Sequence, residues 1–193
     1  MYTIPTSVKI NGVEYGIRND GDYRVILDCF QALGDAELTA RERLLAALII
    51  FYPDFLNLTI TDELLESLVK EMYNFFNCGS DSVNDRPSPK LIDWVQDEQL
   101  ICSAINKVAD KEIRAEKYIH WWTFMGYFTA IGESPISTII SIRDKMVRGK
   151  KLEKHERQYK LNNPQYFTWN SKTVEQNELD NLVKDMWNTN TGG

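Results

Sequence analysis

Two histidines, His120 and His155, and three cysteines, Cys29, Cys78 and Cys102, are the side chains best suited to act as bases, nucleophiles or soft metal ligands. A histidine base works only beside a positioned nucleophile, within hydrogen-bond reach. The chain contains no Gly-x-Ser-x-Gly elbow, no P-loop and no Gly-x-Gly-x-x-Gly turn. His120 stands in an aromatic stretch, where a packed, hydrogen-bonded histidine is a better reading than a catalytic base. The cysteines have no Cys or His at the two-to-four-residue spacing of zinc ligands. Odd in number and far apart, they read as free thiols of a reducing compartment. Asp62, Glu63 and Glu66 fall at the start of an expected helix, where carboxylates favour the positive end of the macrodipole. No catalytic residue, metal or cofactor is therefore expected, and the chain reads as a non-enzyme.

Two other groups could recognise a macromolecule. Tyr118, Trp121, Trp122, Phe124, Met125, Tyr127 and Phe128 crowd one short stretch. A helix facing a bundle core needs apolar residues at only about three positions in seven. The surplus is either core alone or core plus a partner-facing side, since tryptophan and tyrosine anchor interfaces. Trp121, Phe124 and Tyr127 are the expected contact residues, supported by Tyr166, Phe167 and Trp169 further on. The second group is basic: Arg143, Lys145, Arg148, Lys150, Lys151, Lys154, Arg157 and Lys160. These could contact phosphates. Yet aromatic residues for stacking bases are nearly absent there until Tyr159. The overall charge of −6 also opposes broad binding to a phosphate backbone. Nucleic acid is therefore the weaker reading. The plainer one is a solvated face that answers the acidic first half of the chain, within the protein or across a protomer contact.

The elements that must position these groups are mostly helical. The chain has 193 residues, 43% hydrophobic and 26% charged, enough to bury a core without disulfides or metals. Asn11-Gly12 between Val8-Lys9-Ile10 and Val13-Glu14-Tyr15 predicts a β-hairpin, because both residues tolerate the positive φ of a type I′ turn. Asp22 is expected to cap a helix that stops at Gly34. Thr39 with Glu42 forms a capping box, and Pro53 ends that helix. Thr61 caps a third helix and Asp97 a fourth. Residues 117–131 predict a helix apolar on all sides, which normally lies in the middle of a bundle. Ser134-Pro135 starts the next, followed by a short basic one. Thr173 with Gln176 predicts a last helix. The fold class is thus mainly α, a bundle of about six to eight helices with an N-terminal hairpin. Residues 1–19 are assigned to the hairpin packed on the bundle, 20–162 to the bundle, and 163–193 to an aromatic loop and terminal helix. Residues 78–89 are a loop by composition. The start shows no signal-peptide pattern, and the longest apolar run, Leu44 to Tyr52, falls far short of the roughly 20 residues of a membrane helix.

One motif carries a resemblance. Tyr118-Ile119-His120-Trp121-Trp122-Thr123-Phe124 is similar to the His-Trp-Trp-x-Phe motif of a family of small phage proteins, encoded between the tail-tube and tape-measure genes of long-tailed phages. Ile4 to Gly12 resembles the family's opening, Asp97 to Ala104 its middle helix, and Phe128 to Arg143 the segment before a basic helix. The likeness covers about residues 2–162. It departs at Thr123, where the family often has lysine, and after Thr173. The resemblance implies a tail-assembly chaperone in the cytoplasm of the bacterial host. Such a protein binds the tape-measure protein while the tail forms and is expected to be a homo-oligomer, with no membrane association. A structural tail or head–tail connector protein of the virion, and a nucleic-acid-binding regulator acting through residues 143–160, remain the alternatives.

Overall fold

A computed structural model describes residues 3–80 and 89–169. The hairpin pairs β1 (Ser7–Ile10) with β2 (Val13–Gly16), Ile10 opposite Val13 and Ser7 opposite Gly16. Asn11 and Gly12 take φ of 50° and 84°, the left-handed pair that a type I′ turn requires. Seven α-helices follow among the described residues: α1 (Tyr23–Leu33), α2 (Ala40–Phe51), α3 (Asp62–Phe76), α4 (Glu98–Ala109), α5 (Trp121–Thr129), α6 (Pro135–Val147) and α7 (Lys154–Asn162). The mainly α class with an N-terminal hairpin is the observed fold. The expected helix opened by Thr173 and Gln176 lies outside the described residues, as do residues 81–88 of the expected loop.

Helix starts follow the chemistry of their first residues. The Asp22 carboxylate accepts from the Arg24 backbone N–H, and the Thr61 hydroxyl from Leu64. Thr39 and Glu42 close a full capping box, as do Ser134 and Ser137 with Pro135 at the first helical position. Each satisfies N–H groups that a helix start leaves without a partner. At the far end of α6, Gly149 adopts φ of 64° while the Lys150 N–H reaches the Lys145 carbonyl at 2.8 Å. That is the left-handed stop glycine favours.

Asp97 departs from expectation. It occupies the position before α4, yet its side chain caps nothing there. Its carboxylate pairs with Arg143 instead and also accepts from the Asp93 N–H at 3.0 Å.

The described residues form two compact units: 3–80 with 118–125, and 89–117 with 126–169. This division does not follow the 1–19, 20–162 and 163–193 reading. The hairpin belongs with α1–α3, because Val8 and Ile10 on its inner face are buried and β1 packs on α3. In the first unit α1 and α2 pack most extensively on each other, and α2 on α3. Their core holds Ile26, Leu48, Phe51, Leu68, Met72, Trp121 and Phe124. In the second unit α4 packs on α6 around Ile101, Ile105, Ile139 and Ile142. No helix among the described residues is long and apolar enough to cross a membrane.

Candidate functional site

The aromatic motif acts first as a clamp within the first unit. His120 lies just before α5, not inside the helix, in an isolated antiparallel bridge with Asp22. Both its ring nitrogens are engaged: Nε2 meets the Pro5 carbonyl at 2.9 Å, and Nδ1 faces the Trp122 backbone N–H at 3.0 Å. Nδ1 must accept from that N–H, so Nε2 carries the proton and donates to Pro5. The ring is neutral in this arrangement. Burial pushes its pKa below the ordinary 6.5, against smaller opposing effects of the Pro5 carbonyl and Asp22. The next two indoles finish a neighbouring helix. Trp121 Nε1–H donates to the Phe76 carbonyl at 2.9 Å and Trp122 Nε1–H to the Phe75 carbonyl at 3.0 Å. These carbonyls belong to the last turn of α3, beyond its internal ladder, and that of Phe75 also accepts from the Cys78 N–H at 3.0 Å. Asp22 ties the same region by accepting from the Ile119 N–H at 3.0 Å, while the Tyr23 N–H donates to the Ile119 carbonyl.

Trp121 and Phe124 are each 1% exposed. Their rings stack on each other, and Phe124 also stacks on Tyr23 with centroids 4.5 Å apart. They belong to the core and present no surface to a partner, a correction to the contact set expected from the sequence. The helix is also shorter than 117–131, and only these two of its residues are fully buried, so it is not the all-round buried centre of a bundle. Tyr127 is half-buried.

The second unit carries an aromatic segment, Pro164 to Trp169, none of whose side chains is fully buried. Polar groups hold it down by its backbone. Arg143 donates to the Tyr166 carbonyl from Nε at 2.9 Å and from Nη2 at 2.7 Å. Gln96 Nε2 donates to the carbonyls of Gln165 and Thr168, both at 2.9 Å. Arg143 is itself 4% exposed, so it is absent from any basic surface. It forms a two-pronged pair with Asp97, at 2.6 Å and 3.0 Å, and donates to the Leu91 carbonyl. Planar guanidinium suits such forked pairing in a dry site. Tyr166 and Phe167 are half-buried, Trp169 is 40% exposed, and Val95, beside Gln96, is 66% exposed.

The family model described as Bacteriophage Gp15 protein matches residues 2–166. The chain belongs to that family. No curated protein and no solved structure matches it. The match spans the hairpin, the His120-Trp121-Trp122 clamp, the Asp97–Arg143 pair and α7 of this Gp15-family chain; Phe167 and Trp169 lie beyond it.

The other basic residues of this Gp15-family protein divide by partner. Lys145 pairs with Glu156 at 2.6 Å, raising the ammonium pKa and lowering that of the carboxyl, chiefly through their shared hydrogen bond. Arg148 pairs with Asp144 at 2.6 Å, and Arg157 donates to the Leu152 carbonyl. Lys150, Lys151 and Lys154 are exposed. Arg148 and Arg157 are exposed as well, so of the basic run Arg143 alone is buried. Among the described residues no three His, Cys, Asp or Glu side chains are placed to hold a metal ion. Burial pushes the Cys29 thiol up to about 12, far from a reactive thiolate.

Sequence reasoning missed the clamp's targets, Pro5, Phe75 and Phe76. They are bonded through backbone carbonyls, which no side-chain pattern signals.

Proposed function

We propose that this Gp15-family protein is a tail-assembly chaperone that binds the tape-measure protein in the host cytoplasm during tail morphogenesis, without catalysis and as a homo-oligomer. The observation that carries this reading is the aromatic segment around Tyr166 and Phe167, held on a polar platform at the surface of the second unit. A rigid, partly exposed aromatic surface can cover the apolar stripe of a helical partner, as helix-in-groove binders do. Tyr127 is half-buried in the same unit and joins the proposed contact set. The family gives the phage setting; the physics of the surface gives the mode of binding.

Co-expression with the tape-measure protein, followed by size-exclusion chromatography with light scattering, tests the role. The expected outcome is a tape-measure protein that stays soluble only with this chain and co-elutes with several copies of it. The double variant Tyr166→Ala/Phe167→Ala should weaken that complex at least tenfold while the chain stays folded. A partner that stays insoluble while this protein elutes alone overturns the chaperone reading. Abundance in purified virions would instead make the chain a structural component of the tail or head–tail connector.

A further inference from the structure

Trp169 sits on an unusual support. Its ring lies over two cations at once, with Arg143 Cζ 4.3 Å and Lys90 Nζ 4.9 Å from the centroid. Each cation already has a carboxylate: Lys90 pairs with Asp93 at 2.8 Å, and Arg143 with Asp97 at 2.6 Å. The four charges sum to zero. An anion arriving there would meet two carboxylates along with the two cations. A neutral aromatic ring meets the cations through its electron-rich face and needs no counter-charge. The support thus selects a flat, uncharged π face.

The Trp169 ring itself is only partly covered, at 40% exposed. The segment that brings Trp169 to the seat buries no side chain fully, and its ties to Gln96 and Arg143 run through backbone carbonyls. Arg143 also donates to Asp97 and to the Leu91 carbonyl, contacts that do not involve the ring. The guanidinium thus has support of its own, and little buried apolar area opposes rotation of the ring away from it.

We propose that Lys90 and Arg143 form a binding seat for an aromatic side chain supplied by a partner, and that Trp169 fills it in cis until such a side chain displaces it. The class of ligand is a neutral indole or phenyl ring on an apolar segment. That the segment belongs to the tape-measure protein rests on the function proposed above; the seat itself does not.

The probe is N-acetyl-L-tryptophanamide, titrated into isotope-labelled full-length protein and followed at the Arg143 Nε–H and the amides of residues 89–97. In Trp169→Ala the probe should give saturable shifts with a millimolar Kd. The unsubstituted chain should bind more weakly, by roughly twofold or more, because a tethered ring competes at an effective concentration on the order of millimolar, comparable to that Kd. Adding Lys90→Gln to the variant should weaken binding roughly two- to fivefold, as the loss of one exposed cation–π contact does. Trp169→Leu, which keeps apolar bulk without a π face, serves if the alanine variant loses native dispersion. No saturable shift in either opened variant overturns the proposal, and so does equal binding by the unsubstituted chain. Inorganic phosphate binding the opened seat more tightly than the probe would make it an anion site and overturn it too. With a tape-measure fragment as ligand, Trp169→Ala should tighten binding; weakened binding would make Trp169 an anchor and overturn the displacement. Failure of the fragment to bind at all bears only on the chaperone role, since the amide titration needs no partner.

Discussion

At the scale of single residues, the aromatic motif combines packing with hydrogen bonding to remote backbone. Trp121→Phe keeps most of the apolar volume but removes the donor to the Phe76 carbonyl. It should cost about 1–3 kcal/mol in urea denaturation. Trp121→Ala should cost about 3–5 kcal/mol, so any loss of binding it causes is a loss of fold. His120 gives a pH signature. Its folded pKa lies below the ordinary 6.5, so the unfolded chain binds the proton more readily. The stability it contributes is complete above pH 6.5 and is lost as pH falls from there through the folded value. Urea midpoints should fall between pH 7.5 and pH 5, and His120→Gln should flatten that part of the slope. An unchanged slope in the variant would show that groups other than His120 set the acid response.

At the scale of elements, two acceptors at helix starts behave differently. Thr61 is a cap in the ordinary sense, and Thr61→Ala should cost about 1 kcal/mol. Asp97 stands at an equivalent position but serves the Arg143 guanidinium. Asp97→Ser would keep a good cap residue yet leave a buried cation uncompensated. It should cost about 3–5 kcal/mol, well beyond a lost cap. A cost near that of Thr61→Ala would show that the pair contributes little. The same pair anchors the aromatic segment through the Tyr166 carbonyl, so such variants disturb a candidate interface along with an element.

At the scale of the whole molecule, charge and apolar surface are distributed in ways the linear chain disguises. Eight basic residues fall within residues 143–160. One of them is buried in an ion pair and two more pair with acids of the same segment. Replacing Lys150, Lys151 and Lys154 together with glutamine should leave the thermal midpoint nearly unchanged, since exposed charges stabilise little. If these lysines instead bind nucleic acid, the same variant would lose a steeply salt-dependent affinity. Of the aromatic residues singled out in the sequence, Trp121 and Phe124 are buried, while Tyr127, Tyr166, Phe167 and Trp169 are accessible in part.

Features that depend on residues within about four positions of one another were legible in the amino-acid sequence. The Asn11-Gly12 turn, the Thr39–Glu42 box, the Thr61 cap and the Ser134-Pro135 start all rest on a side chain and a backbone group in the same turn. Such groups meet whatever the rest of the chain does. Where Asp97, His120 and the indoles spend their polar atoms depends instead on elements far away in the chain. Asp97 finds Arg143 across 46 residues, Trp121 finds Phe76 across 45, and His120 finds Pro5 across 115. A carboxylate before a helix can cap it or pair with a cation, and a crowded aromatic can be core or interface. Local spacing is the same in both cases, and burial against distant elements selects between them.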